Sequence, residues 1–251
     1  MKIINQAAAL RLLAIAARSR SSILLVGGPG QGKTTIGLYY LRQFDRRPLV
    51  INAGSGYSVS LLHQRKYKAV LIDEAHKFKN PEALYPLLDD PGGFRRPKKV
   101  LALATTDQGR LPGPLVSRLV LVALERYTIG DLAEIASLVA PFMSYLARSQ
   151  IALLAHGSPR RVKLLTQLIV KSKMRGSVSE ILEAIGYQDG LNAQERALLS
   201  ALSAGPKSLA TLAGLLGVGE ETVRQIETDL IASGLVEITS RGRELVNPEA
   251  F

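Results

Sequence analysis

The sequence predicts an α/β fold over its first half, a small helical domain after it and a winged helix at its C-terminal end. Three observations lead there. Short apolar runs alternate with helical patterns over about 125 residues; a glycine-rich turn, "GGPGQGKT", follows the first of those runs; and the last 60 or so residues carry three helical periods and then a strand pair. The boundaries fall at 1–126, 127–188 and 189–251.

The apolar runs are "SILLVGG" (22–28), "PLVINAG" (48–54), "KAVLIDE" (68–74), "KVLALATT" (99–106) and "RLVLVAL" (118–124). Apolar runs bounded by turn residues and separated by helices describe a parallel sheet covered on both faces. From Thr128 to about Ile185 the pattern is helical only, with breaks at Pro141 and at 157–159. Beyond Gly190, "NAQERALLSALSAG", "SLATLAGLLG" and "GEETVRQIETDLIASGLVEI" are three helical periods, and "TSRGREL" turns a strand pair. That is a helix-turn-helix with a β wing.

Composition narrows the function. The 251 residues are 47% apolar, enough for a sizeable core, and include no cysteine and only three scattered histidines, so neither disulfides nor a zinc-type site is expected. No apolar run approaches a membrane span, and the N-terminus lacks a signal-peptide pattern, which points to a cytoplasmic protein. The net charge of +11 is uneven: 20 Lys/Arg stand against 8 Asp/Glu in residues 1–128, 7 against 5 in 129–190, and 5 against 8 in 191–251. A polyanionic partner would meet the first half. There the charge is dense at "HQRKYK" (63–68) and "FRRPKK" (94–99), although either run alone reads equally well as a solvated surface.

The glycine-rich turn fits G-x-x-x-x-G-K-[ST] between a strand and a helix. Its glycines let successive N–H groups face phosphates, and the next helix adds its positive end. Gly27, Gly28, Pro29, Gly30, Gln31, Gly32, Lys33, Thr34 and Thr35 would cradle ATP, with Lys33 on the β- and γ-phosphates and Thr34 on Mg²⁺. Forty residues on, "VLIDEAH" ends a strand in Asp73, placed to hold Mg²⁺, and Glu74, placed to polarise the attacking water. "DEAH" also marks a helicase class, but those enzymes need two tandem ATPase folds, and this sheet leaves room for one. The strand "LALATT" would lie beside these two and bring Thr106 to the γ-phosphate. Arg118, just before the last strand, stands too far around the sheet to reach its own nucleotide and suits a neighbour's.

In order along the chain, "GGPGQGKTT", "LIDEAHKF", "EALYPLLDD", "ALATTDQGRLPGPLVSRL", "RYTIGDLAEI", "HGSPRRVKLL" and "SRGRELV" resemble AAA+ ATPases and, among them, the RuvB family of Holliday-junction branch-migration motors. The resemblance implies phosphate-binding residues at 27–35, Mg²⁺ and water activation at Asp73 and Glu74, a sensor at Thr106, and an arginine finger at Arg118. It also implies an adenine contact at Tyr127 and a second sensor at Arg160, in a homo-oligomeric, hexameric ring. Only "INQ" (4–6) remains of the family's longer adenine-enclosing N-terminal segment. The hairpin that docks RuvA in that family is replaced by "PGGFRRPKK", so docking on a RuvA-like partner is not implied.

DNA contacts are expected at two places. The would-be recognition helix carries Glu220, Glu221, Glu227 and Asp229 against one Arg224, which disfavours reading base edges. The wing turn has Arg241 and Arg243 flanking Gly242, suited to phosphates, although Ile238 stands where the family's wing has a further arginine. The second place is Arg95, Arg96, Lys98 and Lys99, on the link into the sensor strand, a position that commonly faces the channel of ring ATPases. A ring-forming DNA motor is the favoured reading. A nucleotide-gated switch, such as a replication initiator, helicase loader or clamp-loader subunit, and an AAA+ machine acting on protein remain alternatives.

Overall fold

The computed structural model describes residues 2–55, 58–89 and 99–247. The chain forms two compact units, one of residues 1–28 and 32–125 and the other of 29–31 and 126–251.

The first unit is the α/β fold that the apolar runs predict. Helix α1 (Ala7–Ser19) leads to β1 (Ile23–Val26), α2 (Lys33–Leu41), β2 (Leu49–Asn52), the short α3 (Ser60–His63), β3 (Ala69–Asp73), the short α4 (Tyr85–Leu88), β4 (Val100–Thr105), the short α5 (Gly113–Val116) and β5 (Val120–Ala123). The sheet is wholly parallel in the order β2-β3-β4-β1-β5. Alternate residues serve opposite faces. Ile23, Leu25, Leu71, Ala102 and Ala104 pack with Leu13, Ile36 and Tyr40 from α1 and α2. Leu24, Val70, Ile72, Leu101 and Leu103 pack with Leu62, Leu84 and Leu115 on the other side. Burial on both faces explains why these runs read as continuously apolar rather than alternating. Gly37 lets α2 approach closely, since a Cβ there would lie 2.8 Å from Leu71 Cδ1.

In the second unit, α6 (Ile129–Val139), α7 (Tyr145–Leu154), α8 (Pro159–Ser172) and α9 (Val178–Ala184) form the helical part. Their starts are set by sequence: Thr128 and Asp131 form a capping box, Ser144 and Ser158 cap α7 and α8, and Ser177 and Glu180 form a second box. The winged helix follows as α10 (Ala193–Ser203), α11 (Leu209–Leu216), α12 (Glu220–Ala232), β6 (Val236–Thr239) and β7 (Gly242–Leu245). Leu198, Leu212, Val223, Leu230 and Val236 fill its core. The backbone of Lys207 pairs with that of Arg243 on the other edge of β7, at 2.9 and 2.8 Å.

One buried ion pair joins the helical part to the winged helix. Arg161 of α8 donates through Nη2 to Glu195 Oε1 at 2.5 Å and through Nη1 to the Gly190 carbonyl at 2.8 Å. Both side chains are nearly sealed, at 3% and 6% exposed. Glu195 also closes the capping box of α10, its Oε2 accepting the Asn192 N–H at 2.8 Å. Breaking a buried pair from one side strands a charge and costs about 3–5 kcal/mol. Arg161→Met is therefore expected to destabilise the chain by about that amount in urea unfolding followed by far-UV circular dichroism. Adding Glu195→Gln, which keeps the cap acceptor and removes the charge, should restore most of the loss.

Candidate nucleotide-binding site

Level strand ends build the site. Val26 lies opposite Thr105 across β1 and β4, and Ile72 lies opposite Leu103 across β3 and β4. The residues that leave β1, β3 and β4 therefore emerge along one carboxyl edge of the sheet, where open α/β folds bind ligands.

Gly30 and Gly32 hold φ of 72° and 85°, which only glycine adopts without strain, and they curl the chain into α2. Gly32 caps α2 without a side-chain acceptor, so the first-turn N–H groups are left for an anion. Lys33 is 7% exposed, and its ammonium donates to the Gly27 and Gly28 carbonyls at 2.8 Å each. Burial lowers the Lys33 pKa from its ordinary value, and the charges of Glu74 and Asp73 oppose that shift. The Thr34 hydroxyl donates to Asp73 Oδ2 at 2.5 Å. A hydroxyl beside one carboxylate fits Mg²⁺, which takes few protein oxygens and completes its shell with phosphate and water. No cluster of three or more His, Cys, Asp or Glu suited to a metal occurs among the described residues.

Glu74 sits in the left-handed region at φ 53°. Its Oε2 lies 3.4 Å from His76 Nε2 and 3.4 Å from Lys77 Nζ. On the far side of the ring, His76 Nδ1 is 3.0 Å from the Thr105 hydroxyl, which also contacts the Asp107 backbone. Burial holds the His76 pKa below its ordinary value against the pull of Glu74. The imidazole thus bridges the Glu74 carboxylate and the Thr105 hydroxyl, which itself donates to the Asp107 carbonyl at 3.0 Å. Neither His76 nor Thr105 is singled out by spacing, because 29 positions separate them. The histidine of "DEAH" was the available signal.

The other expected residues are placed as follows. Thr106 is half-buried just past β4, beside the Thr105 hub. Arg118 precedes β5, at the amino end of the edge strand and away from the phosphate loop's end of the sheet. Its Nε donates to Asp89 at 2.6 Å, its Nη1 to the Pro114 carbonyl at 2.6 Å, and its guanidinium lies over the Tyr85 ring at 5.0 Å. In the second unit the Tyr127 hydroxyl is 3.4 Å from the Gln31 carbonyl, and the exposed Arg160 pairs with Asp229 at 3.5 Å. Gln6, from "INQ", is buried and bonds both ways to the Glu125 backbone.

Two expected DNA contacts are corrected. Lys99 is 7% exposed and donates to the Gln64 carbonyl at 2.6 Å, so its charge is turned inward and its burial lowers its pKa. Arg243 is clamped by both oxygens of Glu227, at 2.8 and 3.1 Å, and its side chain is only 16% exposed, so its charge is already matched by a carboxylate. Arg241 is exposed, though Glu244 accepts from it at 2.7 Å. Arg95, Arg96 and Lys98 lie outside the described residues.

A parallel five-stranded sheet with a glycine-rich phosphate loop, a neighbouring Asp-Glu strand end and a C-terminal winged helix defines an AAA+ ATPase. Residues 188–248 match the RuvB C-terminal winged helix domain. The Holliday junction branch migration complex subunit RuvB of Thermobifida fusca is 32% identical over 91% of this chain and 76% of its own length. That of Streptomyces coelicolor is 30% identical over 96% and 80%. The Thermotoga maritima RuvB Holliday junction branch migration motor superposes with a TM-score of 0.75 at 27% identity, covering 98% of this chain and 93% of that one. The chain belongs to the RuvB family.

Because the Thr105 hydroxyl holds the imidazole that faces Glu74, Thr105→Val should leave nucleotide affinity within about twofold and lower turnover about tenfold, a barrier change of about 1.4 kcal/mol. Equilibrium binding of a fluorescent ADP beside steady-state phosphate release measures both.

Proposed function

We propose that this chain is an ATP-hydrolysing, ring-forming motor acting on branched or duplex DNA, with Holliday-junction branch migration as its transaction. The observation that carries the ATPase part is the convergence of Lys33, Thr34, Asp73 and Glu74 on one sheet edge. The DNA part rests on relatives named for branch migration over most of the chain. The working parts are an ATPase domain (1–126), a lid (127–188) and a winged helix (189–251), in a ring we take to be hexameric.

ATP with Mg²⁺ supplies the phosphoryl group that is transferred to water. Lys33 would exchange its two carbonyl partners for phosphate oxygens, and Thr34 and Asp73 would hold the cation. Glu74 orients the attacking water, with His76 and Thr105 fixing its carboxylate, and Thr106 senses the γ-phosphate. Thr35 and the loop N–H groups of residues 27–32 bind the remaining charge, while Tyr127 and Arg160 serve the base and the phosphates from the lid. Arg118 acts on a neighbour's nucleotide, where such an arginine is worth about 10³ to 10⁵ in rate.

Binding and turnover should separate by mutation, since binding needs the cation whereas hydrolysis needs the oriented water. Lys33→Ala is expected to abolish nucleotide binding, and Glu74→Gln to bind ATP and stall. Glu74→Gln hydrolysing at the parent rate would remove Glu74 from this role.

Action in trans has its own test. Arg118→Ala subunits should bind ATP normally and hydrolyse it poorly, yet regain part of the activity when mixed with Lys33→Ala subunits, each supplying what the other lacks. Mixed oligomers of confirmed composition that show no rescue would make Arg118 a residue acting within its own subunit. Junction unwinding by the parent chain, followed on a labelled four-way DNA, tests the motor itself.

A further inference from the structure

We propose that the amino edge of the β2–β3 half of the sheet is a surface for the phosphate backbone of DNA, formed by Arg42, Arg46, Arg47, Arg65, Lys66 and Lys68. This rests on the DNA-motor reading and locates a contact that the wing and Lys99 do not provide.

Segments far apart in sequence are fastened together there. Arg42 follows the last turn of α2, which runs back over the sheet and ends near the amino end of β2. Arg46 and Arg47 precede β2, and Arg65, Lys66 and Lys68 precede β3, its hydrogen-bonded neighbour. Asp45 ties the two approaches: its Oδ1 accepts the Arg47 N–H at 3.0 Å and its Oδ2 accepts the Lys68 N–H at 2.8 Å. These bonds hold the Asp45 carboxyl below its ordinary pKa, so it remains an anion committed to backbone. The entry to β4 is fastened in the same way, by the Lys99 ammonium on the Gln64 carbonyl at 2.6 Å and the Val100 N–H on the Lys68 carbonyl at 3.0 Å. Lys99 is thus the anchor that holds the 63–68 turn in place.

All six cations are exposed, and Asp45 is the one acid within residues 42–49 and 63–69. None of the six side chains has an acidic partner within ion-pair distance among the described residues. Arg118, Arg161, Arg224, Arg241 and Arg243, by comparison, each carry a carboxylate partner. Cations held together by backbone bonds repel one another, and a polyanion relieves that repulsion. Duplex DNA carries one charge per about 1.7 Å of axis, so it can meet several cations of such an edge at once, which an isolated anion cannot. The edge lies about 16 Å along the strands from the nucleotide end, one five-residue strand away, so DNA here leaves the phosphate loop open.

The test is a variant carrying Arg46→Gln, Arg47→Gln, Arg65→Gln and Lys66→Gln, four exposed changes that spare Asp45, Lys68 and Lys99. Anisotropy of a fluorescent duplex is titrated between about 50 and 200 mM salt, with binding of a fluorescent ADP confirming an intact fold. We expect ADP affinity to be unchanged and the slope of log K against log salt to shrink by about 3.6 if all four cations meet phosphates, since each lost phosphate contact removes about 0.9. A parent that binds duplex with a slope the variant retains overturns this surface alone and leaves the motor reading standing. A parent that binds no duplex at the low end of that range overturns both. A parent that binds phosphatidylserine vesicles in preference to duplex, with the loss in the variant confined to vesicles, overturns DNA as the occupant.

Discussion

The ammonium of Lys33 is buried, and the nucleotide site is organised around the need to satisfy it. Two loop carbonyls at 2.8 Å take its protons, and the charges of Glu74 and Asp73 offset part of the desolvation. Neither arrangement would exist if the strands ended unevenly. The parallel register that sets Val26 beside Thr105 also brings Asp73 within 2.5 Å of the Thr34 hydroxyl. A shift of register by one residue would turn Leu24 and Leu25 to the wrong layers and move the acids away from the lysine. Packing and electrostatics thus depend on the same hydrogen-bond ladder.

What was legible in the sequence was whatever repeats locally. Strand runs, helix caps and the phosphate loop each declare themselves within a few positions, and the Asp-Glu pair reads from its place at a strand end. Contacts between distant segments left no such mark. Lys99 sits in a basic run that looks uniformly solvated, yet the turn at Gln64 folds over it and draws its charge inside. Arg243 looks free at an exposed turn, but Glu227, 16 residues earlier on α12, closes on it. His76 and Thr105 stand on different strand exits, and only the sheet order brings them together.

Buried acids in the second unit are matched in advance. Glu195 serves one backbone N–H and one guanidinium, and Glu227 serves two N–H groups of another. Arg196 is committed to the Leu191 carbonyl at 2.7 Å. These commitments use the arginines as structural pins, which leaves the winged helix with the acidic face that its composition implies. In the first unit, backbone N–H bonds to Asp45 fasten the segments that carry Arg47 and Lys68.

Glu74 occupies a left-handed backbone conformation at φ 53° without being glycine or asparagine. Such a conformation costs a residue of this kind about 1–2 kcal/mol. Selection for stability alone would push this position towards glycine or asparagine, and either would forfeit the carboxylate. The carboxylate is thus held at a cost in backbone energy, and replacing it by glycine should give a firmer fold as it removes the acid.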